Sequence, residues 1–298
     1  MKSKTMFFLL LIFAIFFTFD SVEAKECYIT NSNGICITNS EYNNLINMGF
    51  YDFEIMSMDL NTYNANKDLE GVVSATTTKY IADTYQHVGK DVYSSSREVT
   101  EEEYNKIKPI CELSSANTSG IGIRAVVGGY TETTGKRMDT EIIEYSNKLR
   151  YKVTVRWKVM PSVRSYDIIG IGLDDQYVYV TGNHTFYQTF CISAMTCTGN
   201  STANILNQET GAGASFKLPS GNFVFMSSYF YYDVGKKVSS PVTLLYAYGD
   251  YAHATKNVTA SQAAGYYTVG YNGLGLYSDI VNKYDAIPSA NARWMGSW

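Results

Sequence analysis

Apolar and polar residues alternate along most of the chain after about residue 120. In the segment 149–159, apolar residues occupy every second position, and Arg150, Lys152 and Arg156 lie among the polar residues between them. Successive side chains of a strand point to opposite faces of its sheet. The pattern therefore predicts a strand with one buried face and one solvated, basic face.

Further segments rich in alternating or β-branched residues are separated by turn-forming residues such as Asn272-Gly273. No segment between them is long and helical enough for the crossovers of a parallel sheet. We therefore expect a mainly β protein with an antiparallel β-sandwich body over residues 71–298. The predicted strands are 72–85, 141–145, 149–159, 166–171, 177–181, 185–192, 215–218, 223–233, 242–248, 266–271 and 274–280.

A short helical region precedes most of the predicted strands. Thr38 and Glu41 have the spacing of a capping box, in which each side chain accepts a hydrogen bond from the other residue's backbone N–H, and Gly49 ends the helix that follows. Asp52 and Asp59 are suited to cap a second and a third helix. The prediction is two or three small helices that pack on one another.

The helical region resembles a segment found in a group of secreted proteins. The stretch Asn39-Ser-Glu-Tyr-Asn-Asn-Leu-Ile-Asn-Met-Gly-Phe50, followed by Met58-Asp59 and Asn66-Lys67, is similar to a helical segment of uncharacterised secreted proteins of low-GC Gram-positive bacteria. The resemblance covers residues 38–67 and implies no particular chemistry. We expect a small helical segment over residues 25–70.

The first 24 residues have the parts of a secretory signal peptide. Lys2 and Lys4 supply positive charge, the segment Met6–Phe17 is apolar, and Ala24 follows Val-Glu in a context suited to cleavage. The apolar run is shorter than the roughly 20 residues needed to span a bilayer. We predict a cleaved signal peptide over residues 1–24, no transmembrane segment in the mature chain, and an extracellular or cell-surface location.

The chain has 5 cysteines. Outside the cytosol thiols tend to pair, and Cys27–Cys36 and Cys191–Cys197 would each close a short loop. We predict these two disulfides and a free Cys111. Other pairings and an intermolecular bridge through Cys111 remain open, whereas metal binding is disfavoured because no CxxC motif or suitably spaced His accompanies the cysteines.

Charge and motifs limit the classes of function. With 24 Lys+Arg against 28 Asp+Glu, the chain lacks the positive excess that nucleic acid attracts. It contains no HExxH, GxSxG or Walker-type motif, and its histidines are His87, His184 and His253. We predict no nucleic-acid partner, no metal and no other cofactor, and we favour a non-enzymatic protein while leaving catalysis open.

Aromatic residues are the main candidates for function, since the chain has 26 Tyr, 14 Phe and 3 Trp. A phenol ring offers a flat apolar face and one hydrogen bond to a sugar or a protein, although tyrosine is also a good strand former with a purely structural role. The basic face of segment 149–159 could meet an acidic polymer such as teichoic acid. The candidate ligand-binding residues are Tyr229, Tyr231, Tyr246, Tyr248, Tyr251, Trp157, Arg150, Lys152 and Arg156.

The leading hypothesis is a secreted, non-enzymatic binding or cell-surface-associated protein that contacts cell-wall glycan or another surface protein. A pore-forming or membrane-active toxin is the first alternative, because the Ser/Thr-rich segments 74–80 and 120–134 could form amphipathic hairpins. A secreted glycan hydrolase or esterase is the second, because acids that meet in space could form a catalytic pair. The strand-end candidates for such a pair are Asp174, Asp175, Asp233, Asp250 and Asp279.

Overall fold

Two antiparallel sheets packed face to face form the centre of the computed structural model, and helices and a hairpin cover parts of their outer faces. The prediction of a mainly β protein with an antiparallel sandwich and a small N-terminal helical segment is confirmed. The predicted signal peptide and Cys111 lie outside the described residues. The structure describes residues 26–88, 91–107, 130–146, 148–174, 176–193, 196–286 and 289–298.

The helices are short and the strands vary from two to eighteen residues. The helices are α1 (Asn39–Asn47), α2 (Asp52–Ser57), α3 (Leu60–Asn66), α4 (Glu101–Lys106) and α5 (Ala260–Gly265), with a 3-10 turn at Val281–Lys283. The strands are β1 (Ile29–Thr30), β2 (Cys36–Ile37), β3 (Gly71–Val88), β4 (Asp91–Val99), β5 (Tyr130–Tyr145), β6 (Lys148–Trp157), β7 (Tyr166–Leu173), β8 (Val178–Ser193), β9 (Thr196–Asn200), β10 (Asn204–Gln208), β11 (Gly211–Lys217), β12 (Phe225–Lys236), β13 (Leu244–Ala254), β14 (Tyr267–Gly270), β15 (Gly273–Leu276), β16 (Tyr284–Ala286) and β17 (Ala290–Met295).

The two large sheets differ in how they are assembled. The seven-stranded sheet has the order β4-β3-β5-β6-β12-β8-β9. The six-stranded sheet has the order β10-β11-β7-β13-β16, and β17 also pairs with β13. Strands β1 and β2 form one small sheet, and the hairpin β14–β15 forms another.

Strand β6 shows why the two large sheets pack together. Its odd-numbered residues, such as Tyr151 and Trp157, are buried between the sheets in the same apolar cluster as Ile169 and Ile171 of β7. Burying a large apolar side chain contributes about 1.5–3 kcal/mol relative to leaving it exposed. The predicted inward face of segment 149–159 is therefore confirmed.

The helical segment begins as its capping residues predict. Thr38 accepts a hydrogen bond from the Glu41 backbone N–H at 3.3 Å, and the Glu41 carboxylate accepts one from the Thr38 N–H at 2.9 Å. Asp59 caps α3, as expected. Asp52 does not cap α2, because Tyr51 holds the cap position and Asp52 is the first helical residue.

Both predicted cysteine pairs lie at disulfide distance. The Cα atoms of Cys27 and Cys36 are 5.3 Å apart, and those of Cys191 and Cys197 are 4.0 Å apart. The first bridge joins the segment before β1 to β2. The second joins β8 to β9, where the two cysteines are cross-strand partners.

The basic face of β6 is buried, so the prediction of a solvated face is wrong. Helices α1–α3 lie against the outer face of the seven-stranded sheet, and Phe50 of this segment shares an apolar cluster with Tyr229 and Tyr231 of β12. Arg150 is 3% exposed and Lys152 is 0% exposed. In this structure an acidic polymer cannot reach these two cations.

Lys152 is paired with carboxylates from two elements. Its Nζ lies 3.3 Å from the carboxylate of Glu54 in α2 and 3.5 Å from that of Glu141 in β5. It also donates a hydrogen bond to the Gly49 carbonyl. A buried charge is tolerated only when it is paired and hydrogen-bonded, so this cluster fixes the helical segment to the sheet.

The two arginines of the same face are also paired. Arg150 donates to the Asp233 carboxylate at 2.8 Å and to the side-chain oxygen of Asn66 in α3. Arg156, whose side chain is 15% exposed, donates to the Asp139 carboxylate at 2.6 Å. The outer face of β6 is therefore an ionic interface between the sheet and the helices.

A single long strand replaces two predicted ones. The predicted strands 177–181 and 185–192 both belong to β8. Gly182 and Asn183 have φ angles of 103° and 54°, and the pairing register of β8 with β12 shifts at this point. The turn-like residues therefore produce a β-bulge that bends the strand without ending it.

Strands β4, β9, β10, β16 and β17 have no counterpart among the sequence predictions. Each of them has one neighbouring strand in the large sheets, so all five lie at edges. Edge strands are commonly short and polar, because one side of the backbone remains open to solvent. In β4, β9, β10 and β16 the alternation of apolar and polar residues is weak, whereas β17 alternates regularly.

Replacing Lys152 by Met tests the ionic interface. The substitution leaves two buried carboxylates without their cation, so the free energy of unfolding should fall by about 3–5 kcal/mol. Urea unfolding at pH 7 measures the loss. As a control, Lys106→Met removes the exposed cation that pairs with Glu102, and it should cost less than about 1 kcal/mol.

A triple variant separates lost attraction from uncompensated charge. Glu54→Gln and Glu141→Gln combined with Lys152→Met remove all three charges, and this variant should recover most of the lost stability. If Lys152→Met were no more destabilising than Lys106→Met, the buried cluster would not hold the helices on the sheet.

Candidate binding surfaces

Most of the predicted ligand-binding residues lie inside the protein. Tyr229, Tyr231, Tyr251 and Trp157 are each 1% exposed. Tyr229 and Tyr231 pack edge-on against Phe50 at ring-centroid distances of 5.6 and 6.2 Å. These four rings do not reach the surface, because the helical segment covers one set and the opposite sheet covers the other.

Tyr246 and Tyr248 are different, because both rings are half-buried on the outer face of the six-stranded sheet. They stack with a centroid distance of 6.0 Å and an interplanar angle of 29°. Tyr271, at the tip of the hairpin β14–β15, lies 5.6 Å from Tyr248 and is 45% exposed. Three tyrosine rings therefore form a continuous group at the surface.

Two exposed polar residues flank these rings. Arg293 of β17 is the cross-strand partner of Tyr246, and Asn291 is the partner of Tyr248. Side chains that are directly opposite on antiparallel strands have Cβ atoms about 4.5–5.5 Å apart. We call Tyr246, Tyr248, Tyr271, Asn291 and Arg293 the tyrosine surface.

The phenol of Tyr248 is held in its neutral form. Partial burial and a hydrogen bond with Tyr271 raise the pKa of Tyr248 to about 12. The hydroxyl therefore keeps its proton at any physiological pH and can donate or accept a hydrogen bond.

Asp250 anchors the hairpin that carries Tyr271. Its carboxylate accepts a hydrogen bond from the Leu274 N–H at 2.6 Å. Gly273 has a φ angle of 101°, which residues with a side chain rarely adopt. A Cβ atom at this position would also collide with the Asp250 carboxylate, so the turn requires glycine. This aspartate, a candidate catalytic acid in the sequence, has a structural role in the described fold.

A cavity of about 550 Å³ lies at one end of the seven-stranded sheet, between the strand ends, α2 and α4. Two of the predicted binding residues, Arg156 and Trp157, line it together with Arg137 and Lys158. We call it the end cavity. Through Arg156, whose side chain is 15% exposed, it is the second place where a predicted binding residue reaches accessible space.

The histidine best placed for proton transfer is enclosed. His253 Nδ1 lies 2.9 Å from the Asp167 carboxylate, and both side chains are fully buried. Burial disfavours the charged imidazole, but Asp167 and Asp285 outweigh it and raise the pKa of His253 above its usual value. A substrate outside the sandwich cannot contact this ring.

Beside His253 lies a second buried ionic cluster that joins the two sheets. Lys136 Nζ lies 2.6 Å from the Asp285 carboxylate of β16 and 3.3 Å from that of Asp83 in β3. All three side chains are at most 2% exposed. These acids are engaged in pairing a buried cation and are closed to solvent.

Asp233 and Asp250, two of the strand-end aspartates, lie in different sheets. Asp233 is paired with Arg150 on the seven-stranded sheet, whereas Asp250 belongs to the six-stranded sheet. Asp279 is exposed in a turn, and Asp175 lies outside the described residues.

Two observations concern metals and membranes. Among the described side chains, no three His, Cys, Asp or Glu residues are grouped as metal ligands would be. Within the same part of the chain, no helix has the length and apolar character needed to cross a bilayer.

Comparisons with known proteins give little further information. No family model matches the chain, and no curated protein matches it. Among solved structures, the chain is similar to one described as manganese lipoxygenase of Gaeumannomyces graminis with part of zonadhesin of Komagataella pastoris. The sequence identity is 6%, the alignment covers 77% of this chain and 88% of that chain, and the TM-score of 0.24 carries no argument.

Sequence reasoning missed three residues of the tyrosine surface, which are Tyr271, Asn291 and Arg293. The Asn272-Gly273 turn placed Tyr271 at a hairpin tip, but its contact with β13 depends on tertiary packing. The alternation of Ala290, Ala292 and Trp294 with polar residues could have identified β17.

Two buried acids should make the protein less stable as the pH rises. Burial raises the pKa of Glu141 and of Asp250 to about 7. Between about pH 4 and pH 7 the folded protein holds protons that the unfolded chain has already released. The contribution of these groups to stability is therefore fully present below that range and is lost as the pH rises toward 7.

Replacing Asp250 by Asn tests this pH dependence. A group that is protonated in the folded protein and ionised in the unfolded chain lowers the free energy of unfolding by about 1.4 kcal/mol for each pH unit of increase. Asp250→Asn removes this contribution, so between pH 5 and 7 the free energy of unfolding should fall less steeply, by up to about 1.4 kcal/mol per pH unit. Urea unfolding at pH 5, 6 and 7 measures the slope. The exposed control Asp279→Asn should leave it unchanged, and an unchanged slope in Asp250→Asn would contradict the assignment.

Proposed function

We propose that the protein is a secreted, non-enzymatic binding protein that contacts cell-surface glycan through the tyrosine surface. The observation that carries the proposal is the group of three tyrosine rings on an outer sheet face, in which the Tyr248 ring contacts those of Tyr246 and Tyr271. The partner is a carbohydrate polymer of a cell wall.

The chemistry of this surface suits a sugar. Sugar rings have apolar C–H faces that pack on aromatic rings and hydroxyl groups that require hydrogen bonds. Tyr246, Tyr248 and Tyr271 supply the flat faces, and Asn291 and Arg293 supply an amide and a guanidinium beside them. A tyrosine side chain also loses little conformational entropy on binding, because it has few rotatable bonds.

The proposal of a non-enzymatic role is supported by the positions of the titratable groups. His253 and its partner Asp167 are enclosed, and the acid pairs beside Lys136 and Lys152 neutralise buried cations. General acid–base catalysis requires a titratable group within hydrogen-bond reach of the substrate. These groups are arranged for stability and do not face an open cleft.

Secretion is supported by the sequence of the first 24 residues and by the cysteine pairs. Disulfides form and persist mainly in extracellular and other oxidising compartments. The pairs Cys27–Cys36 and Cys191–Cys197 lie at disulfide distance. A secreted protein with an exposed aromatic surface is suited to contact the glycan of a cell wall.

Replacing Tyr248 by Ala tests the proposed function. Tyr248 contacts both other rings, so its loss should weaken binding to purified Gram-positive cell walls at least about tenfold, or about 1.4 kcal/mol. Co-sedimentation at low and high salt measures binding. As a matched control, Tyr28→Ala removes a 56% exposed tyrosine on the helical segment and should leave binding unchanged.

The salt dependence distinguishes stacking from charge attraction. Stacking on glycan should persist at high salt, because ions screen charges and do not weaken apolar contact. Equal loss in Tyr248→Ala and Tyr28→Ala, or no sedimentation of the unaltered protein at either salt concentration, would refute the glycan proposal.

A membrane-active protein is the second candidate, and the long strands favour it. Strand β3 has 18 residues and pairs with β5 from Gly71 to His87, whereas about 9–11 residues suffice for a strand to cross a bilayer. In this structure Thr77 of β3 donates to the Asn291 carbonyl of β17 at 2.8 Å, so the strand is held on the sandwich. Release of dye from liposomes would support this candidate, and a simple binder leaves the vesicles intact.

A further inference from the structure

The end cavity has the size of a small-molecule site. Its volume of about 550 Å³ lies within the range of about 300–1,000 Å³ that is typical of ligand pockets. Its lining residues include Phe53, Arg137, Arg156, Lys158, Val224 and Phe225.

One wall of the cavity is apolar. Phe53 of α2 contacts Phe225 of β12 edge-on, with ring centroids 4.5 Å apart. The Cys191–Cys197 pair and Val224, which is 41% exposed, continue this wall. Exposed and half-buried apolar groups in a concave site favour a ligand that replaces water against them.

The other wall carries positive charge. Among the described lining residues, Arg137, Arg156 and Lys158 are cations and none is an acid. Arg137 and Arg156 are cross-strand partners, and both donate to the single carboxylate of Asp139, at 2.9 and 2.6 Å. One carboxylate balances only one of these two guanidinium charges.

A further observation indicates an anion at this wall. The Nε of Arg156 is buried and has no hydrogen-bond partner among the described residues. The Nε–H of Arg156 is therefore available to donate to a ligand anion.

We infer that the end cavity binds an anionic amphiphile, a molecule with a single apolar chain and a carboxylate, sulfate or phosphate group. The anionic group contacts the wall at Arg137 and Arg156, and the chain packs against Phe53 and Phe225. The site is separate from the tyrosine surface, since it is built on the seven-stranded sheet and the tyrosine surface on the six-stranded sheet.

Titration calorimetry of the full secreted chain with eight-carbon amphiphiles below their micelle concentrations tests this inference. Octanoate, octyl phosphate and octyl sulfate carry an anion, octyl glucoside has the same chain without charge, and octyltrimethylammonium has the opposite charge. At least one anionic probe should bind about tenfold more tightly than octyl glucoside, and added salt should weaken the preference. The carboxylate and phosphate arms distinguish a fatty acid from a phosphate-bearing lipid.

Three variants connect the binding to the cavity. Arg137→Gln removes a cation whose side chain is 31% exposed, and it should bring the affinity for the anions to within about twofold of that for octyl glucoside. Val224→Asp places an acid on the exposed apolar wall and should have the same effect if the first variant does not fold. Lys217→Gln removes an exposed positive charge at the end of β11 and should change nothing.

Three outcomes would overturn the inference. The first is that neutral and anionic probes bind equally, so that charge is not recognised. The second is that the folded Arg137→Gln or Val224→Asp variant binds the anions as well as the unaltered protein does. The third is that Lys217→Gln weakens binding as much as the cavity variants do, which would indicate a general effect of net charge.

Discussion

The need to neutralise the buried cations of β6 determines how the layers of this protein are arranged. Arg150 and Lys152 face outward from the sandwich, yet they are almost inaccessible to water. Their charges are tolerated because Glu54 and Asn66 of the helical segment contact them together with acids of the sheet. The helices are therefore an integral layer of the fold.

The same rule governs the contact between the two sheets. Lys136 lies in the interior and is paired with Asp83 from one sheet and Asp285 from the other. A pair of this kind adds little net stability over apolar packing, but removing one partner leaves an uncompensated charge. The two ionic clusters therefore define which layers meet.

Sequence patterns predicted the elements better than they predicted which faces are covered. The alternation in β6 and the capping box at Thr38 are local signals, and both predictions are confirmed. The partner of Lys152 in α2 is 98 residues distant, and no local pattern indicates that a helix will cover the basic face. For the same reason the sequence does not show that Tyr229 is covered and Tyr246 is not. Both lie in alternating segments, but of the two only Tyr246 reaches the surface.

The two proposed binding sites depend on different parts of this arrangement. Phe53 and Tyr51 of the helical segment shape the end cavity, since Phe53 packs on Phe225 and the Tyr51 ring lies 4.1 Å from the Arg156 guanidinium. The tyrosine surface is made by β13, β17 and the hairpin β14–β15, none of which contributes to the ionic interface of β6. Weakening the attachment of the helices should therefore alter the cavity while the tyrosine surface persists. For this reason, a variant of that interface can be measured for binding at the end cavity and at the tyrosine surface. A loss at the cavity alone would distinguish the two sites, although no residue of either site is changed.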